Sequence, residues 1–413
     1  MEHILQMVKQ AKYASAELAC LSAARKEDIL MAMADALEAN AQEIIAANEK
    51  DLEKARQEGK GKAFIDRLAL DMKRIAGMAD GMRQVAKLQD PVGEVISGHT
   101  AKSGIRIMKK RVPFGVVGMI YEARPNVTAD AIAICLKTGN AVVLKGGKEA
   151  ICSNSTITKI AYEAGVRAGM PLGSVALIED TDRQVTAYFM TLREYVDVLI
   201  PRGGAGLIKA VVTNANIPVI ETGVGNCHVY VDASADLQMA ADIVVNAKAS
   251  RPSVCNAIEN LLIHTSVAQE FLPMIITRLK EAGVEMRGCP VCCAYEDVRP
   301  AVEEDYETEY LDYILAMKVV DSLEEAIGHI NRYGTKHSEA IVTRDLAAAQ
   351  AFQDRIDAAA VYVNASTRFT DGGEFGFGAE IGVSTQKLHA RGPMGLTEMT
   401  TYKYLIQGQG EIR

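Results

Sequence analysis

Apolar residues recur at helical spacing through the first 88 or so residues: Ile4, Met7, Ala11, Ala14, Leu18 and Leu21, then Ile29, Leu30, Met33 and Leu37. Steps of three and four residues put these side chains on one stripe of a helix, so the stretch is predicted to be helical throughout. The pattern changes after Pro91. Gly93–Ile96 and Ile105–Lys109 read as two arms of a hairpin, with Gly98 to Gly104 as its turn. Such an arm has few deep-core residues of its own and is expected to pair with something else, often a second subunit.

From Gly115 the period alternates between two and 3.6. Strand-like runs at Gly115–Tyr121, Ala141–Lys145, Val175–Ile178 and Val196–Ile200 are separated by helical runs at Thr128–Lys137, Ser153–Ala168 and Arg183–Thr191. A second series covers Ala257–His264, Val267–Ala282, Ile314–Val320, Leu323–Asn331, Ala340–Thr343, Leu346–Arg355 and Ala359–Asn364. Strands joined by helical crossovers imply parallel sheets, with ligands beyond the carboxyl ends of the strands. The tail from Gly395 alternates like a strand (Met399, Tyr402, Tyr404, Ile406) and is expected to pair with the hairpin across a subunit boundary.

Length and composition narrow the class. The 413 residues allow two domains, and 49% apolar residues are ample for their cores. A net charge of −8 argues against a general nucleic-acid binder. No apolar run approaches the roughly 20 residues that span a bilayer, and the N-terminal stretch lacks a signal-type core, so a cytoplasmic protein is expected. Eight scattered cysteines do not form a disulfide framework and suit a reducing compartment. Cys289-Pro290-Val291-Cys292-Cys293 hints at a metal knuckle, but no second cysteine or histidine cluster with ligand spacing follows, so no metal is expected.

One cysteine stands apart. Ser250-Arg251-Pro252-Ser253-Val254-Cys255-Asn256 is a polar, proline-stiffened loop between a helical and a strand pattern. A thiol there can be reached by substrate, and backbone amides and cations can lower its pKa. Pro201-Arg202-Gly203-Gly204-Ala205-Gly206 turns a strand into a helix and suits phosphate contact, although a plain tight turn has the same signature. The loop from Ser366 to Gly378, rich in hydroxyls and glycine with one arginine (Arg368), suits an anionic small molecule.

Several phrases in order carry a resemblance: Arg124-Pro125-Asn126-Val127-Thr128, Val142–Gly147, Glu221-Thr222-Gly223-Val224-Gly225-Asn226-Cys227-His228, the Cys255 loop, Thr308-Glu309-Tyr310-Leu311, and Ser384 to Leu396. Together they resemble the gamma-glutamyl phosphate reductases, a branch of the aldehyde dehydrogenase superfamily, over nearly the full length. The resemblance implies an α/β, aldehyde dehydrogenase-like fold with two Rossmann-like domains and a β-hairpin and tail for oligomerisation. Expected boundaries are 1–90 with 112–224 for the helical lead-in and nucleotide-binding domain, 225–380 for the catalytic domain, and 91–111 with 381–413 for the oligomerisation arm. A homo-oligomer is expected. The implied reaction is NADPH-dependent reduction of L-glutamyl 5-phosphate to glutamate 5-semialdehyde and phosphate, in proline biosynthesis. Because the acyl phosphate is labile, a complex with glutamate 5-kinase is a further expectation.

The resemblance also implies roles. Cys255 matches the nucleophile. Lys145 matches a lysine on the adenosine ribose, Gly203 and Gly204 the turn facing the pyrophosphate, Arg202 an added phosphate contact, and Glu309 a glutamate on the nicotinamide ribose. Glu309 also falls beside an acidic stretch that reads as an exposed loop. Asn126 resembles an oxyanion-holding asparagine and equally suits a helix cap. Glu221 aligns with a water-activating glutamate; hydrolysis would waste an acyl phosphate, so displacement from the thioester, thiol deprotonation or a structural role is expected. Arg124, Arg251, Arg368, Arg391 and Ser366 are candidates for the substrate's anionic groups. His228 opens a strand and, like His389, suits packing or hydrogen bonding better than proton transfer.

Overall fold

The computed structural model describes residues 1–412, and the chain divides into two compact units. The first is Met1–Thr222 with two returning segments that begin at Gly376 and Met394; the second is Gly223–Phe375 with Val383–Pro393.

The first unit opens with five helices, α1 (Glu2–Leu18), α2 (Ala23–Ala39), α3 (Ala41–Gln57), α4 (Lys62–Leu68) and α5 (Met72–Lys87). Each amphipathic stripe is buried, as with Ile29, Leu30, Met33 and Leu37 on α2. Ser22 and Asp71 start α2 and α5 by accepting the amides of Arg25 and Arg74, which satisfies N–H groups the helix leaves unpaired. There follow β1 (Val95–Thr100), β2 (Arg106–Pro113), β3 (Val116–Tyr121), α6 (Asn126–Lys137), β4 (Ala141–Gly146), α7 (Ile151–Arg167), β5 (Val175–Leu177), α8 (Arg183–Phe189), β6 (Val198–Arg202) and α9 (Ala205–Asn214). The sheet runs β5-β4-β3-β6, all parallel. Every residue of β3 and β4 is buried, as expected of strands covered on both faces.

Two expectations about the hairpin are corrected. The turn is shorter than Gly98–Gly104, because Gly98 still pairs with Met108 and only Gly104 takes a positive φ, at 96°. The C-terminal strand Thr400–Gln407 pairs with β2 of its own chain, from Thr400 opposite Pro113 to Gln407 opposite Arg106, rather than across a subunit boundary. Asn140 helps to deliver it there by donating to the Met399 carbonyl at 2.9 Å.

The second unit contains β7 (Cys227–Val231), α10 (Leu237–Ala249), β8 (Ile258–His264), α11 (Thr265–Glu281), β9 (Glu285–Gly288), β10 (Val298–Pro300), α12 (Glu303–Glu307), β11 (Ile314–Val320), α13 (Leu323–Tyr333), β12 (Ser338–Val342), α14 (Leu346–Arg355) and β13 (Ala360–Val363). Its parallel sheet has the order β10-β9-β11-β8-β7-β12-β13. The order reverses around β7 and β8. The Cys255 loop runs from α10 into the start of β8, so it lies at the amino edge of this parallel sheet, opposite to the carboxyl edge at which a ligand was expected. Among the described residues, no helix is long and apolar enough to cross a membrane.

Candidate active site

The thiol loop occupies the place its sequence implies, directly after α10 and before β8, with Cys255 half-buried. Long-range bonds hold it. The Asn256 side-chain amide donates to the carbonyls of Arg368 (3.3 Å) and Thr370 (2.9 Å), and the Asn256 carbonyl accepts from the Thr367 hydroxyl (2.7 Å). Cys227 donates its thiol proton to the Cys255 carbonyl at 3.2 Å. Burial, reinforced by the Glu339 carboxyl, pushes the Cys227 thiol well above its usual range, so it stays protonated and acts as a donor. Gly225 packs on the same peptide: a Cβ there would overlap the Cys255 carbonyl oxygen. Glycine is required by this close approach of two backbones.

Two arginines belong to the surroundings of the thiol loop. Burial pushes the Arg368 guanidinium down, the nearby Arg251 charge adds to that, and Cys255 opposes it. Arg368 donates through Nε to the Ser250 hydroxyl at 3.2 Å, and Ser366 anchors its loop by accepting the Arg368 amide. The structure thus gathers Cys255, Arg251, Arg368 and Ser366 in one place. Two guanidinium groups held close together raise each other's energy and favour an anion between them. Arg391 belongs to the second unit. It pairs with Asp357 at 2.7 Å, and Lys336 and Lys387 bond the same carboxylate, holding it well below the usual range.

Glu309 reaches the thiol loop indirectly. Its Oε1 accepts the Gly225 amide at 2.6 Å, and Gly225 touches the Cys255 backbone. Behind it Leu311 has a left-handed backbone, φ 54°, which costs energy in a γ-branched residue. Its amide donates to Glu259 at 3.2 Å. Glu259 forms a fully buried ion pair with Lys248, and burial pushes its carboxyl up to about 7 despite that partner. The strained residue is therefore clamped by a core carboxyl, which fixes the peptide that carries Glu309.

The first unit gathers a different set along one sheet edge. Lys145 is the penultimate residue of β4 and Arg202 the last of β6, the strands on either side of β3, and their registers against Ile120 and Tyr121 place them at the same carboxyl edge. Lys145 is buried with its ammonium 3.3 Å from the Gly146 carbonyl. Burial pushes its pKa down, against Asp180 and Glu149. Gly203 and Gly204 lead into α9, whose unpaired N-terminal amides suit a phosphate. One carboxylate already stands there: Glu122 accepts the Gly204 amide at 3.0 Å.

Asn126 is the first residue of α6 and makes no cap bond; its exposed amide donates to Asp130 at 3.1 Å. Burial pushes the Asp130 carboxyl up to about 6. Arg124 is exposed just before α6, and Glu221 is half-buried at the end of the first unit. His228 is fully buried, with Nδ1 2.9 Å from Glu339, and burial lowers its pKa to about 3, so it stays neutral.

Sequence reasoning missed Gly225, Cys227 and Asn256 as supports of the thiol, and Glu122 as a group on the glycine turn. Gly225 and Cys227 lie in the phrase Glu221–His228, where an unusual pair of glycines two residues apart is the one local signal.

The Aldehyde dehydrogenase family matches residues 1–288 and 302–405. The gamma-glutamyl phosphate reductase of Clostridium perfringens (strain 13 / Type A) is 60% identical over 406 residues, 98% of each chain. That of Carboxydothermus hydrogenoformans is 59% identical over 414 residues, covering both chains fully. The crystal structure of gamma-glutamyl phosphate reductase from Thermotoga maritima superposes with a TM-score of 0.96 at 49% identity, covering 99% of each chain. Full-length identity at this level settles membership: the chain belongs to the gamma-glutamyl phosphate reductases of the aldehyde dehydrogenase family.

Proposed function

We propose that this chain reduces L-glutamyl 5-phosphate to L-glutamate 5-semialdehyde and phosphate in proline biosynthesis, with NADPH as reductant and a thioacyl intermediate on Cys255. One observation supports the chemistry: Arg368 stands within charge range of both Cys255 and Arg251, so the thiol loop has positive charge to offer a doubly charged leaving group.

The Cys255 sulfur attacks the acyl carbon, the carbonyl oxygen becomes an oxyanion, and its collapse breaks the C–O bond to phosphate. Arg251 and Arg368 stabilise the departing phosphate. The Cys255 amide holds the oxyanion. When bound, the reduced nicotinamide supplies the hydride that brings the thioester to the aldehyde level. Release of the aldehyde restores the Cys255 thiol.

The edge of the first unit fits a dinucleotide in its donor set, with a buried ammonium at Lys145 and a glycine-led helix N-terminus at Gly203 and Gly204. Arg202 would add charge toward a phosphate.

Running the reaction backwards tests the reading. Purified protein, glutamate 5-semialdehyde and NADP⁺ are mixed with and without inorganic phosphate, and the reduced cofactor is followed by absorbance. Reduction that needs phosphate and disappears in Cys255→Ala is expected. Reduction indifferent to phosphate would mean a hydrolytic aldehyde dehydrogenase with Glu221 as the water base.

A further inference from the structure

The segment between residues 288 and 302 lies outside the family match, and it carries three of the eight cysteines in Cys289-Pro290-Val291-Cys292-Cys293. It leaves the carboxyl end of β9, turns through a short 3₁₀ helix at Cys292–Ala294, and returns as the edge strand β10. The turn brings Cys289 Sγ and Cys292 Sγ to 3.7 Å, close enough for small χ1 rotations to join them. Gly288 makes room for this, since a Cβ there would collide with the side chain of Cys292.

The two thiols sit in unlike surroundings. Cys292 is fully buried against the core formed with Met286, Val298 and Met317. Cys289 is half-buried beside exposed Pro290 and Val291, and its sulfur accepts the Val319 amide at 3.4 Å. The Cys293 thiol has a partner of its own, donating to the Gly288 carbonyl at 3.2 Å. The cluster holds only thiols, and among the described residues there is no group of three or more side chains that could hold a metal.

We propose that Cys289 and Cys292 form a redox-active dithiol that reduces small disulfides by thiol–disulfide exchange. The Cys289 thiolate attacks one sulfur of the disulfide, forms a mixed disulfide and expels the first small thiolate. Cys292 then loses its proton, attacks the Cys289 sulfur and expels the second. The two protein thiols give up two electrons to become one disulfide, and the small disulfide gains two electrons and two protons to become two thiols. The assignment of attacking and resolving sulfur follows access. Polarity agrees: the hydrogen bond from Cys292, aided by backbone amides, brings Cys289 down to about 5, and that same bond with burial pushes Cys292 far up.

The test uses the full-length protein in glutathione buffers of graded oxidised-to-reduced ratio. The sample is acid-quenched and alkylated, and the peptide that carries the three cysteines is mapped by tandem mass spectrometry. As the ratio rises, Cys289 and Cys292 are expected to lose alkylation together through one internal disulfide while Cys293 stays alkylated, and dithiothreitol should reverse this. Cys292→Ser should hold one glutathione on Cys289, and Cys289→Ser should take up none at this peptide. In the unmodified chain, limited iodoacetamide at pH 7 should label Cys289 about tenfold faster than Cys292. The proposal is overturned if both sulfurs stay alkylatable at every ratio, if the disulfide joins Cys293, or if Cys292 is labelled first. These last readings need no variant, so a misfolded mutant does not blunt them.

Discussion

The Gly225 amide donates to the Glu309 carboxylate at 2.6 Å, while Gly225 itself lies against the Cys255 peptide with no space for a side chain. Gly225 thus joins the thiol loop to the peptide that carries Glu309. Gly225→Ala should push the Cys255 backbone aside. Overpacking of a tight site costs about 1–3 kcal/mol, so a fall in Tm of several degrees is expected. Turnover should fall much further, about a hundredfold, since a small displacement of a nucleophile is felt strongly in rate. Thermal unfolding and steady-state kinetics on the same preparation would separate the two. Full activity in a stable Gly225→Ala protein would show that the thiol loop tolerates displacement.

The Arg251–Arg368 pair predicts a phosphate defect. Charge-assisted hydrogen bonds contribute about 1.5–3 kcal/mol each, so Arg368→Gln should raise the KM for phosphate in the reverse reaction about 10- to 100-fold. The KM for NADP⁺ should stay near its original value. Equal changes in both constants would remove Arg368 from the phosphate site.

Glu122 gives a prediction with an unusual sign. Its carboxylate sits on the Gly204 amide at the start of α9, where a negative ligand group would bind. Glu122→Gln keeps a hydrogen-bond acceptor and removes the charge. A charge at a helix end contributes about 0.3–1 kcal/mol, so NADPH should bind about two- to fivefold more tightly to the variant, as read by fluorescence titration. Weaker binding would mean that Glu122 contacts the cofactor instead of competing with it.

How far the sequence reaches depends on the range of the interaction. The Cys255 loop is legible because its polar run and Pro252 are local, and Lys145 because a strand pattern ends on it. The supports of the thiol are not. Gly225 meets Glu309 across 84 residues, and Asn256 meets Thr370 across 114, so no periodicity encodes either pair. The central strands of the second sheet are legible, but the buried pairing of His228 on β7 with Glu339 on β12, across 111 residues, is not. β9 and β10, with four and three residues, are too short for a pattern. The tail does pair with the hairpin, as its alternation implied, but alternation cannot say whether the hairpin belongs to the same chain, which explains why an intersubunit pairing was expected where the chain pairs with itself.

The buried histidines make stability depend on pH. Burial lowers His228 and His329 to about 3, so both are neutral in the folded chain, whereas they titrate near 6.5 when unfolded. Their stabilising contribution is complete above pH 6.5. It is lost as pH falls from 6.5 toward 3, because the unfolded chain then binds up to two more protons, each worth about 1.4 kcal/mol per pH unit. His329 offers the cleaner test. Its ring packs on Tyr306 and Tyr333 at centroid distances of 5.1 and 4.5 Å, and neither ring nitrogen has a hydrogen-bond partner among the described residues. His329→Phe keeps the aromatic contacts and removes two desolvated polar atoms, so at pH 7 the variant should equal or exceed the parent by about 1 kcal/mol. Between pH 6 and pH 4 its stability should decline with a slope shallower by about one proton, measured by urea unfolding at each pH. An unchanged slope would place His329 in contact with water or another acceptor in solution, charged at the same pH in both states.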